Sequence, residues 1–269
     1  MGMPTDLRAW RETLLDLGVM GLVPPSASLE SVQAPPPPSA AAPPPARPQA
    51  APKAPVSRPL EPPPSFQVPG DPIGCPPPEA VASASTLREL ETRICGCLAC
   101  PLGPGRIRFV FGEGNPAARM MFIGEGPGRD EDLAGRPFVG KAGELLDRMI
   151  GALGFTREDV YIANVVKCRP PDNRTPTPQE SQSCLRYLRK QIELVRPGVI
   201  VTLGGTPLRE LLGLSIGITR IRGQWQHLGD IPVMPTFHPA YVLRQYTQDV
   251  RRAVWTDLQA AKAWLDEHP

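Results

Sequence analysis

The chain has 269 residues, 37 of them proline, and a formal net charge of +2. That near-neutral balance excludes a uniformly basic nucleic-acid protein, so any nucleic-acid contact must be a local patch. No apolar run is long enough to cross a bilayer and the N-terminus lacks a secretory pattern, so a soluble, cytoplasmic protein without a membrane partner is expected.

Residues 1–23 carry Leu7, Trp10, Leu14 and Leu17 at spacings of three and four, the stripe of a short amphipathic helix. Such a helix is a candidate docking peptide for a protein partner. Residues 24–84 follow as a Pro/Ala-rich linker, with 21 of the prolines between Pro24 and Pro78. This composition cannot bury enough apolar surface to offset its ordering entropy and predicts a disordered, partly polyproline spacer. Residues 85–269 then suffice for one globular domain.

Within that domain the pattern predicts strands around Phe109 and over 120–123, 160–165, 199–203 and 232–235. Helices are predicted over 85–93, 142–153, 178–195, 207–212 and 247–266. Strands alternating with helices of this length imply right-handed βαβ units, a mainly parallel sheet and helices on both faces.

The stretch 124–147, GEGPGRDEDLAGRPFVGKAGELLD, joins the apolar run MMFIG to a helix. A strand, a glycine-rich turn and a helix place backbone N–H groups at the carboxyl edge of a sheet, where open α/β folds bind ligands. Gly124, Gly126 and Gly128 miss the dinucleotide fingerprint, and the turn lacks the Lys or Thr of a P-loop. Glu125 and Phe138 are its two chemically informative side chains.

Six cysteines in a reducing compartment point to metal or redox chemistry before disulfides. Cys97 and Cys100 form a C-x-x-C pair; Cys168 ends the third strand and Cys184 lies early in the next helix. Four such thiolates suit zinc or an iron–sulfur cluster, and spacing does not choose between them. Cys95 competes with Cys97 as a ligand, and the x-x spacing favours Cys97. Cys75, in the linker, reads as a spare thiol.

Asn164 closes the 160–165 strand with an amide that both donates and accepts. His238 follows the last strand in PTFHPAYVLR and precedes a proline, which directs its ring to the same sheet edge.

GEGPGRDED with GRPFVGKAGELLD resembles the first motif of the family 4 uracil-DNA glycosylases, the iron–sulfur branch of that superfamily. KCRPP-x-NR-x-P, beginning at Lys167, resembles the second motif, and the HP pair at His238 the third. The resemblance spans about residues 90–265 and does not reach the N-terminal helix or the linker. It implies a three-layer α/β/α sandwich with a central, mainly parallel four-stranded sheet. It also implies a hydrolase that releases uracil from DNA and initiates base excision repair.

In that reading Cys97, Cys100, Cys168 and Cys184 ligate a structural [4Fe–4S] cluster that directs Lys167, Arg169 and Arg174 towards phosphates. Loss of cysteines would then cost stability and DNA affinity together. Glu125 and His238 are the catalytic candidates, and Gly124, Gly126, Phe138 and Asn164 complete the uracil site. Asn173, Tyr241, Leu243 and Arg244 are candidate DNA or substrate contacts. Lys141, Arg220, Arg222, Arg244, Arg251 and Arg252 are candidate phosphate ligands as a group.

The sequence carries Gly126 where the best-known branch has a water-activating Asp, which leaves Glu125 for that task, with Glu131 and Asp132 as alternatives. No inserted basic loop with a sugar-trapping His follows PFVG or NVVK, so hydrolysis is the expected outcome. Uracil-containing DNA is the expected partner and a monomer the expected state. The alternative is a non-catalytic DNA-binding module with a structural four-cysteine metal site.

Overall fold

The computed structural model describes residues 74–268. The predicted N-terminal helix and the linker up to residue 73 lie outside the described residues. The boundary expected at residue 85 falls inside folded structure, because helix α1 (Pro78–Ala82) precedes it. Val81 and Ala84 are buried there, so the proline-rich composition extends a few residues into the core. Helix α2 (Leu87–Ile94) starts at Thr86, whose hydroxyl accepts the Glu89 N–H at 3.1 Å.

The remaining elements alternate. Strands β1 (Glu113–Gly114) and β2 (Met120–Gly124) lead to helices α3 (Arg129–Ala134) and α4 (Lys141–Ala152). Strand β3 (Tyr161–Asn164), a single 3₁₀ turn (Pro171–Asn173) and helix α5 (Pro178–Val195) follow, then β4 (Val199–Leu203), α6 (Gly205–Leu212) and α7 (Ile218–Ile221). Strands β5 (Gln226–Leu228) and β6 (Ile231–Thr236) precede α8 (Pro239–Arg244) and α9 (Gln248–Glu267). Among the described residues no helix is long and apolar enough to cross a membrane.

The sheet has six strands in the order β1-β3-β2-β4-β6-β5. The inner four, β3, β2, β4 and β6, are parallel, and β1 and β5 add antiparallel edges. Alternating strand residues feed two cores. Met121, Ile123, Ala163 and Ile200 pack with α1, α2 and α5; Met120, Phe122, Ile162 and Val201 pack with α4 and α9. Both faces are therefore covered, as a parallel sheet requires.

One expected strand is absent. Around Phe109 the Ile107 and Arg108 N–H groups donate to Asp132 Oδ1, at 2.9 and 3.3 Å, instead of to a neighbouring strand. Only one bond, Val110 N–H to the Lys167 carbonyl, resembles a ladder. Pairing begins at Glu113, opposite Ile162.

Candidate functional site

The chain runs from β2 to β3 on one side, then crosses to β4 on the other. The carboxyl end of β2 is thus a topological switch point, where a crevice opens in such sheets. Register places Gly124 beside Asn164, and Thr236, at the end of β6, beside Leu203. Four strand ends thereby bring Asn164, Glu125, Gly204, Gly205 and His238 to one edge. They line a cavity of about 640 Å³ together with Phe138, Arg129, Lys141, Asn173, Tyr241 and Arg244.

Gly124 itself is buried beneath the cavity. A Cβ there would stand 2.4 Å from Asn164 Oδ1 and 2.5 Å from Phe138 Cζ. Its missing side chain is what lets the amide and the ring approach each other. Phe138 adopts φ +53°, a conformation costly for an aromatic residue and held only by its surroundings. Glu131 is the holder. Its Oε1 accepts the Val139 and Gly140 N–H groups at 2.9 and 3.0 Å, and its Oε2 accepts Gly128 N–H at 3.0 Å. Gly143 supplies the room, since a Cβ there would meet the Phe138 carbonyl oxygen at 1.9 Å.

Asn164 is 2 % exposed, and its Oδ1 has no hydrogen-bond partner. A buried, unsatisfied amide oxygen costs about 1–3 kcal/mol unless something supplies a donor. In a cavity wall, that oxygen is free to accept a hydrogen bond from a bound group.

His238 caps α8, with its Nδ1 accepting the Ala240 N–H at 3.1 Å. That bond leaves the ring proton on Nε2. Burial pushes the imidazole down to about 4; Arg244 adds to the shift and Glu131 opposes it. At neutral pH the ring is an uncharged donor. It stacks near Phe138, with centroids 5.6 Å apart and planes 30° apart.

Glu125 is fixed by Thr206, whose Oγ1 donates to Oε2 at 2.6 Å. Thr206 was not among the residues read from the sequence. The signal was present: VTLGGTP repeats, after β4, the strand–glycine–helix pattern of the Gly124 turn. The two alternative acids have other tasks. Glu131 clamps the Phe138 loop, and Asp132 is 2 % exposed and holds the 107–108 backbone.

Among the candidate DNA contacts, Asn173, Tyr241 and Arg244 line the cavity, whereas Leu243 lies exposed on α8 outside it. Asn173 Oδ1 accepts from Arg169 Nε at 2.7 Å. The expected phosphate role of Lys167 is contradicted by its burial. Its Nζ donates to the Asn164 carbonyl at 2.8 Å and to Gln191 Oε1 at 2.5 Å. Arg174 is held by both oxygens of Glu180 at 2.8 Å, and Arg222 is tied to Asp257 and the Ala253 carbonyl. Lys141, Arg244 and the Glu180-bound Arg174 line the cavity, joined by Arg129, which the sequence reading passed over.

Cys97, Cys168 and Cys184 are buried, Cys100 is half-buried, and none forms a disulfide. Cys95 is exposed and Cys75 half-buried, with Arg186 Nη2 donating to its Sγ at 2.6 Å. Burial pushes the Cys168 thiol up to about 11 and the Cys184 thiol up to about 12. Each of the four acts electrostatically on others of the set. Cations lie close to them: Arg106 Nη1 reaches Cys168 Sγ at 3.5 Å, and Lys167 acts on Cys184. The Ala99 N–H points at Cys97 Sγ, 3.4 Å away. Sulfurs ringed by cations and N–H donors suit thiolates that have given their protons to a metal group. Among the described residues no group of three His, Cys, Asp or Glu side chains is placed to hold a single metal ion.

A family profile described as the uracil DNA glycosylase superfamily matches residues 111–259. The chain is 50 % identical over 180 residues to a type-4 uracil-DNA glycosylase of Thermotoga maritima, covering 65 % of this chain and 93 % of that protein. It is 41 % identical over 182 residues to the type-4 uracil-DNA glycosylase of Archaeoglobus fulgidus, covering 65 % and 90 %. Against that of Saccharolobus solfataricus it is 44 % identical over 182 residues, covering 64 % and 83 %. From residue 111 to residue 259, the crevice and the strands that build it included, the chain belongs to the uracil DNA glycosylase superfamily, and its likeness to nearly the full length of these relatives puts it with the type-4 uracil-DNA glycosylases.

Proposed function

We propose that this protein hydrolyses the N-glycosidic bond of deoxyuridine in DNA, releasing uracil and leaving an abasic site for base excision repair. The observation that carries this reading is the buried, unpartnered Asn164 amide oxygen between Phe138 and the His238 edge. The target bond is inaccessible in stacked DNA, so the nucleotide must swing out into the crevice. There Phe138 stacks on the uracil ring, and Asn164 accepts N3–H and donates to O4. As the C1′–N1 bond breaks, its electron pair moves onto uracil and negative charge grows on O2. His238 Nε2–H, with backbone N–H groups of the 124–126 turn, meets that charge. Water adds to C1′, its proton is lost, and the departing uracil anion is reprotonated. Glu125, held at one oxygen by Thr206, presents the other to that water.

The cofactor assigned in this reading is a [4Fe–4S] cluster held by Cys97, Cys100, Cys168 and Cys184. The buried donor set and the cations around it support the assignment. When bound, it supplies a covalent tie between the domain's start and the 168–184 segment. Its thiolates also balance Lys167, whose ammonium steadies the Asn164 backbone. A monomer in the cytoplasm, where thiols stay reduced, accords with this chemistry.

The test is alkali-revealed cleavage of an oligonucleotide carrying one uracil, beside a thymine control, with anaerobically purified full-length protein. Breaks at uracil alone are expected. Tight DNA binding with intact strands would return the protein to the non-catalytic alternative. Thr206→Val is expected to lower kcat about tenfold at unchanged KM, the worth of a hydrogen bond to a carboxylate, and Thr206→Ser to restore it. Cys184→Ala should lose iron together with the brown absorbance. Its melting temperature should fall by about 10 °C or more, because metal affinity is folding energy.

A further inference from the structure

Helix α8 ends at Arg244 with Gln245 as its cap, and a tight turn closed by Thr247 N–H to the Gln245 carbonyl at 2.7 Å leads into α9. Thr247 caps α9, its hydroxyl accepting Val250 N–H at 3.3 Å. Tyr246 sits in this turn with 49 % of its surface exposed. The Arg251 guanidinium, one turn into α9, lies 4.6 Å from the centre of the tyrosine ring. Arg251 pairs with no carboxylate among the described residues, and its Nε has no hydrogen-bond partner. An exposed ring braced by an unneutralised planar cation is a ready surface for another flat, electron-rich ring beside an anionic group.

The position matters as much as the chemistry. Tyr246 follows Arg244, which lines the cavity, by two residues, and the exposed Leu243 of α8 by three. In the glycosylase reading, a strand with its uracil in the crevice meets this end of α8 first at Tyr241 and Arg244, which line the cavity. An unpaired nucleobase with its phosphate matches both halves of the Tyr246–Arg251 pair, whereas a base inside a duplex keeps its faces covered. We infer that Tyr246 and Arg251 form a stacking subsite for an unpaired base next to the uracil nucleotide, which favours single-stranded over duplex substrate. This inference rests on the glycosylase reading above.

The test compares wild type, Tyr246→Ala, Tyr246→Trp and Arg251→Leu on a single-stranded oligonucleotide carrying one uracil, and on the same strand annealed to its complement. Tyr246→Ala should raise KM for the single strand between about fivefold and about a hundredfold, the range for one lost base–aromatic stack. Its kcat and its KM for the duplex should stay where they were. Tyr246→Trp should restore single-strand KM, and Arg251→Leu should raise it with a shallower salt dependence. Equal losses on both substrates, or no loss on either, would overturn the subsite. Fluorescence anisotropy with a uracil-free single strand reads the same stack without chemistry. Weakened binding there by Tyr246→Ala would uphold the subsite even if no uracil were released, and unchanged binding would overturn it.

Discussion

Replacing His238 with alanine is expected to slow uracil release by about a hundred- to a thousandfold while leaving KM for uracil-containing DNA nearly unchanged. The size is that of one preorganised donor facing a developing oxyanion. The split follows because charge on O2 appears only as the bond breaks, so the donor strengthens its interaction mainly in the transition state. The donor is preorganised because Nδ1 is already occupied by the Ala240 N–H. Alanine also removes a helix cap, worth about 1 kcal/mol. His238→Asn keeps a capping side chain and separates the two effects: it should melt close to wild type yet remain slow.

The same histidine leaves a mark on stability. Its folded-state pKa, about 4, lies below the ordinary value of 6.5, so the unfolded chain takes up the proton first as pH falls. Its contribution is complete above about pH 6.5 and is lost progressively as pH drops towards 4. Melting temperatures measured across that window should fall more steeply for wild type than for His238→Asn. Single-turnover rates should meanwhile show no loss of the His238 contribution until pH approaches the lower value.

Gly124→Ala is expected to lower kcat/KM by about a hundredfold or more through both parameters. The new methyl group would overlap Asn164 Oδ1 and two Phe138 ring atoms, at 2.4, 2.5 and 2.9 Å. Neither neighbour can yield cheaply. Asn164 is held in the sheet opposite the substituted residue, and the Phe138 loop is clamped by Glu131. Overpacking of this kind costs about 1–3 kcal/mol, so the variant should fold with a lower melting temperature. Base recognition should suffer beyond that, since both displaced groups are the proposed contacts of the uracil ring. Competitive inhibition by free uracil provides the measurement: a variant inhibited as strongly as wild type would refute the assignment of Phe138 and Asn164 as the base site.

The alternation of apolar runs and helical stripes made the parallel sheet and its two covered faces legible in the sequence, since both periodicities are local. The glycine turn and the four cysteines were legible because few other residues can serve a close approach or a metal group. What escaped depends on partners distant in the chain. Ile107 and Arg108 read as part of a strand because nothing local reveals that Asp132, 24 or 25 residues away, takes their N–H groups. Lys167 read as a phosphate ligand because a lysine's charge is visible and its burial against Gln191 is not. Glu131 and Asp132 read as alternative water activators because a carboxylate is visible in the sequence and the backbone N–H groups that occupy it are not. Thr206 went unnoticed because a hydroxyl declares no role until its acceptor is known.

The two short borders of the sheet bear on how the protein behaves among other chains. β1 offers two residues and β5 three, and each runs antiparallel to the long parallel strand it covers. An incoming strand would find little continuous ladder to extend on either side, and long exposed edges are what template such addition. The domain is thereby protected against edge-to-edge aggregation when crowded along DNA. Among the described residues, a companion finds more to engage in the side chains of helices and loops than in these edges.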